Sequence, residues 1–218
     1  GAAVQAPAPE RLIRSGLPTE AMVAHVLVSK YAWHLPLYRQ VQILLAQGIE
    51  IERSVLAFWV GYAAAELMPL WRRLREILLG SPRLFVDETR APVLDPGRGR
   101  TKSGYFWSIA RDDSAWCGDT GPPGVVYTYA PGRGAEHAAT LLAGYRGIVQ
   151  CDGYAAYKQL ARRGRAGNAV MLAFCWSHWR RRFYEIAKAG SAPIAEETLR
   201  RIAELYKIEA QIRGRSAA

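Results

Sequence analysis

The sequence predicts an α/β protein in which an all-helical segment precedes a mixed five-stranded sheet. Two observations lead to this fold class. Residues 17–79 show only the helical spacing of apolar side chains, whereas from Arg83 onward short β-branched and aromatic runs alternate with glycine, proline and charge. Half of the 218 residues are hydrophobic, which is enough for a buried core in one large or two small domains.

The helical segment carries its own start and stop signals. Pro18-Thr19-Glu20 is typical of a helix start, and Pro36 interrupts the pattern that follows. A helix, then Gly48, then a second helix from Ser54 has the order of a helix-turn-helix, although a plain helical hairpin fits equally well. Pro69 should kink or restart that second helix.

The second part of the chain alternates strands with helices. The strand candidates in order are RLFVDET, GYFWSIAR, VVYTYAP, GIVQC and AVMLAFCW. Helices are predicted over residues 134–145, 153–163, 177–188 and about 191–213. Three strands followed by alternating helix and strand match the ribonuclease-H-like fold, a mixed five-stranded sheet with helices on both faces.

These patterns divide the chain into four parts. We expect a disordered N-terminal tail, a helical segment, the ribonuclease-H-like core and a short C-terminal tail, at residues 1–16, 17–80, 81–213 and 214–218.

Two aspartates follow strands that are neighbours in this fold. The first and fourth strands lie side by side, so Asp87 and Asp152 should be roughly 5 Å apart. Two carboxylates at that separation repel each other unless a cation lies between them. A pair of divalent metal ions, as in nucleases and polymerases, would remove the repulsion.

Such a site needs a third acid, and the last helix offers several. Glu209 falls on the same stripe as Leu199, Ile202 and Leu205, whereas Glu204 falls on the opposite, solvated face. Glu209 is therefore the candidate third ligand. The alternative is structural: an ion pair between Glu209 and a basic side chain one turn later, Arg213.

Composition limits the partner and the compartment. The net charge of +10 favours a polyanionic partner, most simply nucleic acid, although solubility alone is a sufficient reason for it. The three cysteines are widely spaced, which is typical of reduced thiols in a cytoplasm. The sequence contains no run of 18 apolar residues and no signal-peptide pattern, so no membrane partner is expected.

Two basic groups are candidates for phosphate contacts. Arg98, Arg100 and Lys102 fall in a predicted Gly/Pro loop, where an ordinary solvated loop is the alternative. Arg180 and Arg181 are predicted near the start of a helix, where positive charge opposes the helix dipole and so suggests an anionic partner.

Cys175 and His178 raise the question of zinc. A closed zinc site needs four ligands, and only Cys151 is expected nearby, so a buried thiol and a histidine that contacts phosphate or orients water is the preferred interpretation. Among the aromatic residues, Trp107, Trp116 and Tyr129 are candidates for base stacking, although core packing is the commoner role.

Several longer motifs occur in a fixed order along the chain: LPTEAMVAHVLVSKYAWHLPLYRQ, FVDET, APVLDPGRGRTKSG, YAPGRGAEH, QCDGYAAY, CWSHWRRRFYE and IAELYKIEAQIRG. Together they resemble the catalytic region of the IS66 family of bacterial insertion-sequence transposases and the segment just before it. The resemblance covers nearly the whole chain from about Leu17. The leucine-rich coil and zinc-binding cysteine cluster with which family members usually begin are not seen, so we expect an N-terminally shortened protein.

The resemblance implies a DDE transposase that cleaves DNA and transfers strands with Mg²⁺, or Mn²⁺ as a substitute. Asp87, Asp152 and Glu209 match the three acids of the family. The resemblance also implies that double-stranded DNA is contacted by a set of basic residues: Arg98, Arg100, Lys102, His178, Arg180, Arg181 and Arg213. The resemblance also implies a bacterial cytoplasmic, nucleoid-associated protein that assembles as a homo-oligomer on DNA.

Two other function classes use the same features. A ribonuclease-H-like nuclease or Holliday-junction resolvase would use the same acids without strand transfer. A catalytically dead, DNA-binding transposon remnant would keep the basic surface and lack a competent metal site. Strand transfer from pre-cleaved ends separates the first alternative from a transposase, and metal-dependent nicking separates the second.

Overall fold

The computed structural model describes residue 4 and residues 9–14, 16–114, 121–163 and 170–215, without the side chains of residues 162 and 163. Trp116 and Cys117 lie outside the described residues. The chain forms two compact units, residues 1–72 and residues 73–218. The predicted boundary at residue 80 coincides with the end of a helix that begins in the first unit and ends in the second.

The first unit is helical, with α1 (Glu20–Tyr31), α2 (Leu37–Ala46) and α3 (Arg53–Glu66). The Thr19 side chain accepts a hydrogen bond from the Met22 amide at 3.2 Å, as expected for an N-cap. Pro36 precedes α2 in an extended conformation, which explains the interruption that the sequence shows. Apolar side chains from these helices and the preceding segment form the core of this unit: Ile13, Val23, Val26, Leu44, Leu56, Trp59 and Ala63.

The connection between α2 and α3 contains six residues, 47–52, with Gly48 at a φ of +82°. This is longer than the three- or four-residue turn of a DNA-binding helix-turn-helix. The geometry of this connection therefore favours the helical hairpin over the helix-turn-helix.

Helix α4 (Met68–Leu79) begins directly after α3, and Pro69 is its second residue. The N–H groups in the first turn of a helix have no acceptor within the helix, so a proline there costs no hydrogen bond. Pro69 therefore restarts the helix as predicted. Within the described part of the chain, no single helix is long and apolar enough to span a membrane. Helices α3 and α4 have sufficient length and apolar composition only when taken together, and this pair is bent by 48°.

The second unit contains one mixed sheet with strand order β3-β2-β1-β4-β5. Its strands are β1 (Arg83–Asp95), β2 (Arg100–Arg111), β3 (Gly124–Ala130), β4 (Gly147–Cys151) and β5 (Val170–Phe174). Strand β2 is antiparallel to both β1 and β3, whereas β4 is parallel to both β1 and β5. The prediction of a ribonuclease-H-like mixed sheet with the first and fourth strands side by side is confirmed.

The β1–β2 hairpin is longer than the sequence suggested. Pairing continues from Phe85 opposite Ala110 to Asp95 opposite Arg100, and the connecting turn spans only residues 96–99. The prediction that Arg100 and Lys102 belong to a Gly/Pro loop is therefore wrong. Ladder hydrogen bonds continue to the end of the hairpin, where Gly97 and Gly99 have the positive φ values of a tight turn.

The remaining helices are α5 (Ala135–Leu141), α6 (Ala155–Arg163), α7 (Trp176–Ala189) and α8 (Pro193–Ile212). Helix α6 packs on the sheet through Tyr157, whose ring meets buried Trp107 edge-to-face at 6.0 Å. The Trp107 indole donates to the Gly132 carbonyl at 3.2 Å, so this tryptophan is a core residue and not a stacking platform for bases.

Candidate active site

Asp152 lies directly after β4, in the turn that leads into α6. Its Oδ1 accepts a hydrogen bond from the Tyr154 amide at 2.7 Å. Gly153 has a φ of +87°, and a Cβ at this position would approach the Phe174 ring at 3.3 Å. The turn therefore requires glycine, and it holds the half-buried Asp152 carboxylate at the end of the strand.

Asp87 lies on the neighbouring parallel strand. The last paired residues of β1 and β4 are Phe85 and Gln150, and continuing this register by two residues brings Asp87 opposite Asp152. Opposite residues of parallel strands face the same side of a sheet, so both aspartates belong to one face. Asp87 is exposed, and its backbone carbonyl accepts from the Ser108 hydroxyl at 3.2 Å.

A third carboxylate, that of Glu88, is half-buried and is influenced by the charges of both aspartates. Burial raises its pKa, and the charges of Asp152 and Asp87 raise it further, while the Tyr157 hydroxyl and the charge of Arg133 act in the opposite direction. Tyr157 donates to Glu88 Oε2 at 2.8 Å. The burial and the carboxylate–hydroxyl bond likewise raise the pKa of Tyr157. The carboxylates of Asp87 and Asp152 thus lie close enough to Glu88 to influence its protonation.

Sequence reasoning missed Glu88, although strand alternation contains a signal for it. Leu84, Val86 and Glu88 alternate on one face of β1, and the two apolar members are fully or almost fully buried. A glutamate that continues a buried face is unusual enough to be noted as a candidate.

Arg133 is a second residue that sequence reasoning did not single out. It lies in the connection between β3 and α5, and its guanidinium lies 4.5 Å from the ring centroid of Tyr154 and 5.9 Å from that of Tyr105. Its charge lowers the pKa of Glu88, so Arg133 is the cation that the structure brings to the acidic end of the sheet.

Glu209 lies on α8 and is paired with Arg213 at 2.9 Å, the ion pair considered as the alternative to a metal role. Its side chain is 30% exposed, compared with 56% for Glu204, which pairs with Arg200. The difference agrees with the predicted helix phase. Among the residues described, however, no three histidine, cysteine, aspartate or glutamate side chains are close enough together to hold one metal ion, so Glu209 is not gathered with the two aspartates.

The apolar stripe of α8 is only partly buried. Ile202 is 2% exposed, whereas Leu205 and Tyr206 are 47% and 36% exposed. The C-terminal half of the helix therefore has few buried side chains to fix its position.

The basic residues predicted for DNA contacts fall into two groups. At the tip of the β1–β2 hairpin, Arg98 and Lys102 are both exposed and both pair weakly with Asp95, at 3.6 and 3.7 Å. Arg100 is exposed on β2 at the same tip. This group forms a cationic hairpin end rather than a flexible loop.

The second group lies between α7 and α8. Arg180 and Arg181 line a groove of about 850 Å³ together with Lys188 and Lys207. Helix α7 begins at Trp176, which puts both arginines in its second turn, so the expected conflict with the helix dipole, an effect of the first turn, does not apply. The groove itself supplies the concentrated positive charge.

His178 and the two described cysteines lie near the start of α7. The His178 Nδ1 atom is buried and has no hydrogen-bond partner among the described residues. Cys151 and Cys175 are free thiols on neighbouring chain segments, because the Cys175 amide donates to the Cys151 carbonyl at 2.8 Å. Burial, partly offset by a hydrogen bond from the Gly153 amide, raises the pKa of the Cys151 thiol.

The strand order and the two aspartates define a ribonuclease-H-like α/β core that carries one carboxylate within β1 and another directly after β4. A family model described as "Transposase IS66 family" matches residues 15–218. The chain belongs to this family of transposases.

Curated relatives extend well beyond this chain. "Uncharacterized protein y4jD" of Sinorhizobium fredii (strain NBRC 101917 / NGR234) is 47% identical over 216 residues, which cover 98% of this chain and 42% of the relative. "Uncharacterized protein y4qI" of the same strain is 45% identical over 218 residues, covering 99% of this chain and 40% of the relative. The chain thus spans about two-fifths of the length of these relatives.

Proposed function

We propose that this chain is the catalytic core of a DNA transposase that performs metal-dependent phosphoryl transfer at insertion-sequence ends. The observation that carries the proposal is the register of β1 and β4, which brings Asp87 opposite Asp152 in a chain of the IS66 transposase family. Asp87 and Asp152 are proposed as metal ligands, and Glu209 as the third.

The donor set suits a hard divalent cation. Carboxylate oxygens are the ligands that Mg²⁺ prefers, with Mn²⁺ a substitute. Burial is the main reason that the pKa of Glu88 is raised, and the negative charges of Asp152 and Asp87 raise it further. A divalent cation would neutralise these negative charges. When bound, the metal would lower the pKa of a water molecule and stabilise the leaving oxygen of an in-line displacement at phosphorus.

The side chains divide the remaining tasks. Asp152 is oriented by the Tyr154 amide, and Glu88 is held in place by the Tyr157 hydroxyl. Arg133 supplies a cation that can contact a phosphate oxygen of the DNA strand at the acidic end of the sheet.

Glu209 joins this site in our proposal by exchanging its partner. Its ion pair with Arg213 is solvent-exposed, with side chains 30% and 63% exposed, and such pairs contribute at most about 1 kcal/mol. A divalent metal ion is a stronger partner for a carboxylate than an exposed guanidinium. Arg213 would then be free to contact a phosphate.

DNA phosphates are proposed to bind the two basic groups. The hairpin tip contributes Arg98, Arg100 and Lys102, and the groove between α7 and α8 contributes Arg180 and Arg181, with His178 near its start. Phosphate contacts fix the register of the duplex without reading sequence, so these residues would position DNA for cleavage.

The proposal is tested by metal-dependent nicking of supercoiled plasmid DNA. Asp87→Asn and Asp152→Asn should each remove nicking in Mg²⁺ and in Mn²⁺, because an amide cannot replace a charged metal ligand. Asp95→Asn is the matched control, since it lies on the same strand about 26 Å from Asp87. Nicking that survives in both active-site variants would refute the proposal. Joining of pre-cleaved ends to target DNA then distinguishes a transposase from a nuclease.

A further inference from the structure

Three large aromatic side chains stand exposed next to Asp152. Phe174, Trp176 and Trp179 are 54%, 49% and 47% exposed. The Trp176 and Trp179 rings meet edge-to-face at 5.3 Å with an interplanar angle of 82°. An edge-to-face contact covers only one face of one ring, so flat aromatic surface remains open to solvent.

These side chains line a cavity of about 530 Å³ whose wall also includes Asp152 and Gly153. This volume is in the range of pockets that bind small organic groups. Trp179 is fixed from its other side by Phe183, whose ring lies edge-to-face at 4.9 Å. The aromatic wall is thus built before any ligand arrives.

The same cavity carries two cationic side chains beside the Asp152 carboxylate. Lys158 and Arg182 line it and are both exposed. None of the ion pairs that the described residues form involves either of them. An aromatic wall with free cations beside it is complementary to a nucleotide, whose base is flat and apolar and whose phosphate is an anion.

A base within a duplex cannot use such a wall, because both of its faces are already stacked on neighbouring base pairs. Only an unpaired base can insert. We propose that the pocket formed by Phe174, Trp176 and Trp179 binds an unpaired base of the DNA strand whose adjacent phosphate lies at Asp152, with Lys158 and Arg182 holding the flanking phosphates. This inference rests on the proposed function and names its substrate class: DNA with a single-stranded segment at the reacting position.

The experiment compares two DNA probes that differ only in one end. The first is a blunt duplex, and the second carries a short 3′ overhang with 2-aminopurine, whose fluorescence falls when it stacks on an aromatic ring. The chain should bind the overhang more tightly and quench its fluorescence. Trp179→Ala should weaken overhang binding about tenfold, the effect of losing one stacked base, and change blunt-duplex affinity by less than about twofold.

Further variants separate stacking from folding. Trp179→Phe keeps a flat ring and should restore part of the affinity and the quenching. Trp33→Ala is the matched control, because Trp33 is 69% exposed in the other unit and should have no effect. Arg182→Ala should reduce the dependence of log affinity on log salt concentration by about one for the overhang probe.

The outcomes distinguish the pocket from the chemistry. Quenching that depends on Trp179, in a chain that never nicks DNA, supports the base pocket and contradicts the catalytic proposal. Equal affinity for both probes, or quenching unchanged by Trp179→Ala, overturns the base pocket even if nicking is observed. A concentration-dependent dimer that Trp179→Ala abolishes, without a change in overhang binding, would identify the wall as a protein contact and also overturns it.

Discussion

The carboxylates proposed for catalysis lie on two kinds of support. Strands β1 and β4 pair in parallel up to Phe85 opposite Gln150, and extending this register by two residues brings Asp87 opposite Asp152. Glu209 lies on the C-terminal half of α8, where Leu205, Tyr206 and Ile208 are 36–55% exposed. Pairing between two strands fixes which of their residues lie opposite each other. In an exposed helix, the positions of the side chains depend on contacts that form with other partners.

This difference divides the proposed site into a preformed part and an assembled part. In the preformed part, burial raises the pKa of Glu88, and the charges of Asp152 and Asp87 raise it further. In the assembled part, Glu209 has to give up an exposed ion pair with Arg213 before it can bind a metal ion. We expect metal and DNA to bring the two together.

The largest expected effect comes from breaking the assembled part. Glu209→Gln should reduce metal-dependent nicking by about a hundredfold or more, because the amide is nearly isosteric but is a weak ligand. Glu204→Gln, on the more exposed face of the same helix, should leave the rate within about twofold. Initial rates of plasmid nicking, with circular dichroism to check folding, measure both. An inactive Glu204 variant beside an active Glu209 variant would reverse the assignment.

A smaller effect tests the support beneath the preformed part. Tyr157→Phe removes the hydroxyl that donates to Glu88 Oε2 and should lower the free energy of unfolding by about 1–2 kcal/mol. Since that hydrogen bond lowers the pKa of Glu88, the loss should be larger at neutral pH than at acid pH. Urea unfolding at the two pH values measures this, and a pH-independent loss would mean that packing alone is affected.

The smallest effect is a gain in stability. The pKa of Glu88 is raised in the folded state, so the native protein binds this proton more tightly than the unfolded chain, and stability falls as the pH rises through that pKa. Glu88→Gln removes this loss of stability at higher pH and keeps an amide oxygen that can accept the hydrogen bond from Tyr157. Without metal it should stabilise the fold by about 1 kcal/mol at neutral pH, after allowance for solvent screening, and not at pH values below the pKa of an unfolded glutamate.

Much of the architecture follows from local sequence pattern. Ile148 and Val149, flanked by glycine and an aspartate, define a short buried strand, and β4 begins and ends as predicted. Strand order followed from the succession of elements, because few topologies connect three strands and then alternating helices. The hairpin of β1 and β2 was underestimated, since Pro92 reads as a strand breaker although it lies within the paired register.

The site was less accessible to sequence reasoning. Asp87 and Asp152 were found by asking which acids end neighbouring strands, although β1 continues beyond Asp87 to Asp95 in the structure. The role of Glu88 could be recognised only by knowing that Tyr157, 69 positions away in the sequence, donates a hydrogen bond to it. The aromatic wall likewise depends on packing: Trp107 and Trp179 look alike in sequence, but the first is fully buried and the second is 47% exposed. Such differences arise only from tertiary contacts.

The central claim, that Asp87 and Asp152 share a divalent cation, is tested most directly by thermal unfolding with and without Mg²⁺. For the unsubstituted chain, Mg²⁺ at about 100-fold above its dissociation constant should raise the Tm by about 5 °C or more. Asp87→Asn and Asp152→Asn should raise the metal-free Tm by relieving repulsion and should lose most of the metal shift, whereas Asp95→Asn should retain it. Equal Mg²⁺ shifts in all four proteins would contradict the shared site.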